Sequence, residues 1–363
     1  NASAMYALGR QSKRAIEEAR KRVANAINAK QKEIYFTSCG SESDNLAIKG
    51  FAYANRCRGN HIITSKIEHP AVLNTCKNLE HKGFRVTYLN VDENGFIDIN
   101  QLKRNICNDT ILISIMMANN ELGTIQNIQE IGKIAHRNNI VFHTDAVQAF
   151  GQIPIRADEM NIDMLSASGH KFNGPKGIGF LYIKKGLKLK SFIHGGQQER
   201  GRRAGTENVP GIVGIAKACE IAMAEMEERM KKETELRDYL IERILKEIPY
   251  TRLNGHSKKR LPNNVNISFQ FVEGESILIM LDMAGICASS GSACTSGSVD
   301  PSHVLLAIGL PHEIAHGSLR LTLGYENTKE EMDMVVDNLK RIITNLRNMS
   351  PLYEDFVKKN HIQ

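Results

Sequence analysis

The strongest constraint in this chain is a rhythm. Up to about residue 215, short apolar stretches alternate with amphipathic ones. "EIYFTS", "HIITS", "RVTYLNV", "TILISIMM", "IVFHTDA", "DMLSASG" and "GIGFLYI" have the length and β-branched content of strands. Between them "QSKRAIEEARKRVANAI", "SESDNLAIKGFAYANR" and "HPAVLNTCKNLEHKG" carry helical spacing, with Ser41 at an N-cap, Pro70 in a first turn and Gly83 at a helix end. Strands separated by helices pair in parallel and need helices over their faces. The pattern predicts an α/β fold with a mostly parallel sheet. Such sheets bind ligands in the loops beyond the carboxyl ends of their strands.

The order then changes. "IVGIAKACEIAMAEMEERMKKETELRDYLIERILKEI" reads as a long helical stretch broken once. After it come a strand "NNVNISF", a helix from Gly274 to Met283, a strand "GICAS", a glycine–serine loop, a short helix at "PSHVLLAIG", a strand "SLRLTLG" and a last helix "TKEEMDMVVDNLKRIITNLRNM". That is a smaller α+β domain, and the expected division is 1–230 and 231–363.

Composition excludes several classes. Apolar residues are 42% and charged residues 24% of 363, as in water-soluble globular proteins. No run of about 18 apolar residues would span a membrane. The opening "NASAMYALGR" lacks a signal peptide's apolar core and an initiator Met, so a preceding segment is expected. Seven cysteines, at 39, 57, 76, 107, 219, 287 and 294, are odd in number and form no CxxC. They point to a reducing, cytoplasmic setting and away from disulfide frameworks or zinc ribbons. The net charge of +7 is mild, and "KSFIHGGQQERGRR" and "HSKKR" read as solvated faces. Without interleaved aromatics they suit an acidic protein partner better than nucleic acid.

Chemistry concentrates where strands end. "TSCGSESDN" is a glycine–serine turn entering a helix, whose N–H groups with Ser41 can hold a phosphate. In "HTDAVQAFG", Asp145 follows an apolar strand, where an acid needs a partner; a helix N-cap or a protonated ring nitrogen would serve. In "SASGHKFNGPKGIGFLYI", Lys171 lies between His170 and an aromatic residue directly after a strand. Lysine condenses with aldehydes once its amine is deprotonated. An aldehyde cofactor with a pyridine ring needs both groups, a lysine for the aldehyde carbon and an acid for the ring nitrogen. Cys294 is the odd residue: a thiol in "ASSGSACTSG", among residues that flex and face water.

Six segments in order, "MANNELGT", "HTDAVQAFG", "SGHKFNGPKGIG", "RRAGTENVPGIVG", "SSGSACTSG" and "HGSLRLTLG", resemble those of the NifS/IscS-type cysteine desulfurases. These are pyridoxal 5'-phosphate (PLP) enzymes of fold type I, related to class V aminotransferases. The resemblance implies a large PLP-binding domain with a seven-stranded, mostly parallel sheet and a small domain carrying the cysteine loop. By it, Lys171 holds PLP and moves the Cα proton, Asp145 pairs with the ring nitrogen and Gln148 bonds the ring hydroxyl. His69, in "IEHPAV", stacks on the ring and assists proton transfer. Gly40, Ser41, Ser168 and His170 bind phosphate, with Thr206 reaching the neighbouring subunit's phosphate across a homodimer. Asn120 and Arg320 orient the substrate carboxylate. Cys294 is the nucleophile that takes sulfur from L-cysteine as a persulfide, releasing L-alanine. It then passes the sulfur to an iron–sulfur scaffold protein or another acceptor, and a transient Fe–S contact through Cys294 is conceivable. The same resemblance implies that the tail "MSPLYEDF" grips the scaffold and that an N-terminal strand precedes residue 1. Cys39–Gly40 stands where Gly–Ala is commoner, and Ser41 where Thr is. Another fold type I PLP enzyme, such as a selenocysteine lyase or an aminotransferase, is the alternative. A partner-binding homologue without catalysis is a further one.

"HEIAH" at 312–316 fits the zinc-protease pattern, but glycine and proline bound it so closely that no rigid two-histidine helix is expected. No resident metal is expected. Cys287 is expected buried in its strand.

Overall fold

The computed structural model describes residues 1–290 and 301–360. Cys294 and its loop therefore lie outside the described residues. The chain divides into two compact units. The first comprises Asn1–Asn90, Ile97–Ala118 and Gln126–Glu227; the second comprises Val91–Phe96, Asn119–Ile125 and Glu228–Gln363. A single cut at residue 230 does not allow for the two excursions at 91–96 and 119–125. The second of these is tied to the C-terminal unit by hydrogen bonds: Leu261 N–H donates to Gly123 O at 2.9 Å, Ile125 N–H to Lys259 O at 3.0 Å.

In the first unit α1 (Ala7–Ala26) precedes β1 (Ile34–Thr37), α2 (Gly40–Asn45), a π-helical turn (Leu46–Gly50) and α3 (Phe51–Ala54). Then follow β2 (His61–Ser65), α4 (Pro70–Glu80), β3 (Arg85–Leu89), α5 (Ile99–Asn105), β4 (Thr110–Ser114), α6 (Ile128–Arg137), β5 (Val141–Asp145), β6 (Met164–Ser168) and β7 (Gly179–Ile183). The sheet order is β1-β7-β6-β5-β4-β2-β3, with only β7 antiparallel to its neighbours. Strands β2, β4, β5, β6 and β7 are buried along their whole length, which is why they read as nearly unbroken apolar runs. Helix α6 shows how they are covered: Ile128, Ile131, Ile134 and Ala135 form its one apolar stripe.

Helix α7 (Val209–Glu247) is continuous over 39 residues, not broken once as expected. Pro210 sits in its first turn, and from Ile215 to Ile248 there is no glycine or proline to interrupt the hydrogen bonds.

The second unit holds β8 (Thr251–Leu253), β9 (Asn264–Phe269), α8 (Gly274–Met283), α9 (His303–Ala307), α10 (His312–His316), β10 (Ser318–Thr322), α11 (Lys329–Asn348) and α12 (Pro351–Asn360). Its antiparallel sheet runs β10-β9-β8. Met332, Val335, Val336, Leu339, Ile342 and Ile343 of α11 fill the core beneath. A capping box between Thr328 and Glu331 starts that helix. "GICAS" forms no strand; Ser289 alone bridges to Arg320, and Cys287 is exposed rather than buried. "HEIAH" is one five-residue turn, and no metal-binding group of His, Cys, Asp or Glu occurs among the described residues.

Candidate active site

The first unit gathers its chemistry at the carboxyl ends of the parallel strands. β5 ends on Asp145, 5% exposed, whose Oδ1 accepts Val147 N–H at 2.9 Å. Burial pushes the carboxyl above its ordinary range, and the Lys171 charge opposes that push. Lys171 follows β6 in a 3-10 turn, Gly169–Phe172. Phe172 in that turn is locked into the core against Phe150, with ring centroids 4.8 Å apart, while Lys171 is exposed. Gln148 is half-buried in the turn after Asp145. His69 caps α4: Ala71 N–H donates to its Nδ1 at 3.1 Å. That bond assigns the proton of the neutral ring to Nε2.

The expected phosphate loop lies at the end of β1. Cys39, not Ser41, is the N-cap, and α2 begins at Gly40. Cys39 is fully extended there, which moves the helix start ahead of the serine; Ser41 is exposed in the first turn. A Cβ on Gly40 would fall 2.6 Å from Val147 Cγ2, so only glycine lets this loop close on the turn after Asp145. Ser168 is 3.5 Å from the same point, and its Oγ lies 3.0 Å from His170 Nδ1. Burial and the charges of Lys171 and Lys176 lower the His170 pKa. Glu42 accepts from Ser38 N–H at 2.8 Å and from Arg203 Nε at 2.9 Å. Thr206, three residues beyond Arg203, is exposed.

Behind Asp145 lies a network that sequence reasoning did not find. His143 is wholly buried, its Nδ1 2.8 Å from Ser114 Oγ and its Nε2 3.0 Å from Ser166 Oγ. Burial pushes it down to about 3. Asp44 stands 3.7 Å from the same Nε2; burial and the nearby Asp145 push its carboxyl well above the ordinary range. Glu68 accepts Ser65 O–H at 2.5 Å and Met116 N–H at 3.0 Å, and burial raises it to about 8. The available signals were polar residues inside apolar runs, in "FHTDA" and "IEHPAV".

In the second unit, Arg320 of β10 donates from Nη1 to Asn120 O at 3.0 Å, and its Nε is buried with no hydrogen-bond partner. Beside it Glu121 is 4% exposed and accepts Ser302 O–H at 2.5 Å. Burial pushes Glu121 up to about 7, against Ser302 and Arg320. Ser289 and Ser302 are both held in this unit. Ser289 exchanges backbone hydrogen bonds with Arg320 at 3.1 and 2.6 Å, and Ser302 holds Glu121 while capping α9.

Residues 1–335 match the family described as aminotransferase class-V. A "Cysteine desulfurase IscS" of Methanosarcina thermophila is 60% identical over 97% of this chain and 87% of its own length. One of Clostridium botulinum (strain Hall) is 57% identical over 99% and 91%. A solved structure titled "NifS-like protein" superposes with a TM-score of 0.89 at 39% identity, covering 95% of this chain and 91% of that one. The chain belongs to the class V aminotransferase family, among its cysteine desulfurases.

Cysteine desulfurases are PLP-dependent, with the fold type I sheet described above, and the alternative PLP activities are not favoured by these relatives. The first unit fits the cofactor. Its donor set pairs a buried acid, Asp145, with a lysine, Lys171, whose charge it feels. A loop that only glycine allows, at Gly40, lies against the serine that touches His170. The buried, unpartnered Arg320 Nε suits a carboxylate.

Proposed function

We propose that this desulfurase takes sulfur from L-cysteine onto Cys294 and releases L-alanine. PLP bound at Lys171 supplies the electron sink that makes the substrate Cα–H acidic. Asp145, ionised beside a cation, holds a proton at the ring nitrogen. Gln148 bonds the ring hydroxyl, and Gly40, Ser41, Ser168 and His170 bind the phosphate. Lys171 would accept the Cα proton, and His69, with its Nε2–H, would lie against the ring and assist proton transfer. Asn120 and Arg320 orient the carboxylate. The Cys294 thiolate attacks the substrate sulfur, so that an S–S bond forms as the Cβ–S bond breaks; the bond's electron pair goes to Cβ, which takes a proton to become the methyl group of alanine, and the persulfide stays on Cys294. The observation that carries this assignment is the buried Asp145 under the charge of Lys171.

Exposed Thr206 supports a homodimer in which each chain completes its neighbour's phosphate site. The persulfide then passes to an iron–sulfur scaffold protein or a comparable acceptor. The six cysteines among the described residues are all free, which supports the cytoplasm as the compartment. No helix among the described residues is long and apolar enough to cross a membrane. Borohydride reduction of the holoenzyme followed by peptide mapping should place the cofactor on Lys171; label on Lys176 would overturn the assignment.

A further inference from the structure

The sequence marks one thiol, Cys294, as reactive, and six other cysteines are present. Three of those others, Cys57, Cys107 and Cys287, are exposed. Cys107 differs from the other two in its surroundings. It precedes β4 at the amino end of the sheet, the end opposite Asp145, Ser168 and Lys171. His61 and Arg85 are the first residues of β2 and β3, and Thr110 is the first of β4, so the parallel register carries all three to the same edge.

The contacts are close. Cys107 Sγ lies 3.2 Å from His61 Nδ1, 3.2 Å from Thr110 Oγ1, 3.2 Å from Asp109 Oδ1 and 3.6 Å from Arg85 Nη2. His61 Nε2 is 2.9 Å from Thr87 Oγ1, which can accept its N–H, and Nδ1 then faces both Thr110 Oγ1 at 2.8 Å and the sulfur at 3.2 Å. Burial and the Arg85 charge, against Asp109, keep the His61 ring below its ordinary pKa, in the free-base form that accepts a proton. Arg85 is in turn held by Asp109 at 2.8 and 2.9 Å, which fixes a guanidinium beside the sulfur. Around Cys57 and Cys287 no base or cation stands within hydrogen-bond distance among the described residues.

We propose that Cys107 is a second reactive thiol, a modification site at which a low-molecular-weight disulfide forms a mixed disulfide. The Sγ proton passes to His61 Nδ1. The thiolate attacks one sulfur of the disulfide RSSR, a new S–S bond joins Cys107 to SR, and the old S–S bond breaks. The Cys107 sulfur is oxidised and the departing RS⁻ is reduced. His61 returns the proton to it as RSH, while Arg85 stabilises the anionic sulfur on both sides of the exchange. The site is independent of the desulfurase chemistry, which occupies the other end of the strands.

The test exposes the holoenzyme to glutathione disulfide and follows each cysteine by quenched peptide mass spectrometry. Cys107 should be modified about tenfold faster than Cys57 or Cys287, a modest share of what a positioned base contributes. His61→Gln should bring Cys107 toward their rate while theirs stay unchanged. Arg85→Gln, at a side chain 58% exposed and safe for folding, should also slow it. Cys107→Ser should leave alanine formation from L-cysteine at the wild-type rate. A Cys107 rate within about twofold of Cys57 would overturn the proposal, because that margin leaves nothing for base assistance. Unchanged Cys107 rates in both the His61 and Arg85 variants would overturn it equally.

Discussion

Arg320→Gln is the substitution for which the structure supplies both a mechanism and a magnitude. The Arg320 backbone is held on both sides, by Ser289 at 2.6 and 3.1 Å and by the β9 register opposite Asn266. Replacing the side chain therefore leaves the strand in place. What is lost is a guanidinium with one hand on Asn120 O at 3.0 Å and a buried Nε that awaits an acceptor. A hydrogen bond to a charged group is worth about 1.5–3 kcal/mol. At about 1.4 kcal/mol per factor of ten, kcat/KM for L-cysteine should fall roughly 10- to 160-fold. The assay is initial-rate alanine formation, run in parallel on L-cysteine and its methyl ester, which lacks the carboxylate. The wild-type enzyme should prefer cysteine by about the factor that the substitution removes, and the variant should treat the two substrates nearly alike. This cycle separates carboxylate recognition from general damage. Equal losses on acid and ester, or a variant that keeps the full preference, would refute the role given to Arg320.

Four further outcomes are expected. Asp145→Asn should retain PLP, read by its absorbance, yet lower kcat by about a hundredfold or more, since the buried negative charge is gone. Cys294→Ala should bind PLP and L-cysteine normally but form no persulfide and almost no alanine; alanine at the wild-type rate would end the mechanism. In thermal melts Glu68 and His143 should place the stability maximum between about pH 4.5 and 6.5, where their effects cancel, with losses on either side. Glu68, raised to about 8, favours folding less as pH climbs from its unfolded value toward 8, and His143, lowered to about 3, favours it less as pH drops below the ordinary histidine range. Glu68→Gln should flatten the alkaline limb and let the acid loss begin near the ordinary histidine range. Leu352→Ser, at a side chain 63% exposed on α12, should weaken binding of an iron–sulfur scaffold protein while sparing alanine formation with a small thiol acceptor; unchanged scaffold affinity would reject the tail's role.

The sheet was legible because β2, β4, β5, β6 and β7 are buried on both faces and so spell out apolar runs. Lys171 and Asp145 stand out in the sequence because each interrupts or ends such a run with a residue whose charge needs a reason, and the structure puts the buried Asp145 under the Lys171 charge. Other features depended on contacts distant in sequence. The 119–125 excursion carries no composition of its own; Arg260, reaching Leu122 O at 2.9 Å, shows which unit it joins. Cys287 was misjudged because "GICAS" has strand composition, whereas only Ser289 finds a strand partner. The tail was half legible. Leu352 is exposed, as a gripping tail requires, but Tyr353 and Phe356 turn inward onto Tyr250 and Phe271, with centroids 4.8 to 6.3 Å apart. For this reason the point substitution at Leu352 is a cleaner probe than removal of residues 350–363.

The buried network bears on how Asp145 would serve the cofactor in the proposed role. Asp44, Glu68 and Asp145 are all wholly buried in the first unit, and three like charges so enclosed would repel strongly. Burial answers by pushing Asp44 and Glu68 toward their protonated forms and His143 toward its neutral one. Glu68 and His143 keep hydrogen bonds in that state, Glu68 with Ser65 and Met116, His143 with Ser114 and Ser166. The residues behind Asp145 thus support the end of β5 without contributing net charge. Asp145, alone among the three, has Lys171 pulling its carboxyl down. A cation brought to its surface therefore ionises that carboxyl first, and the negative charge stays at the carboxyl end of the sheet. On this account Glu68→Gln, which keeps the network neutral, should leave cofactor binding intact, and Asp145→Asn should not rescue activity at any pH.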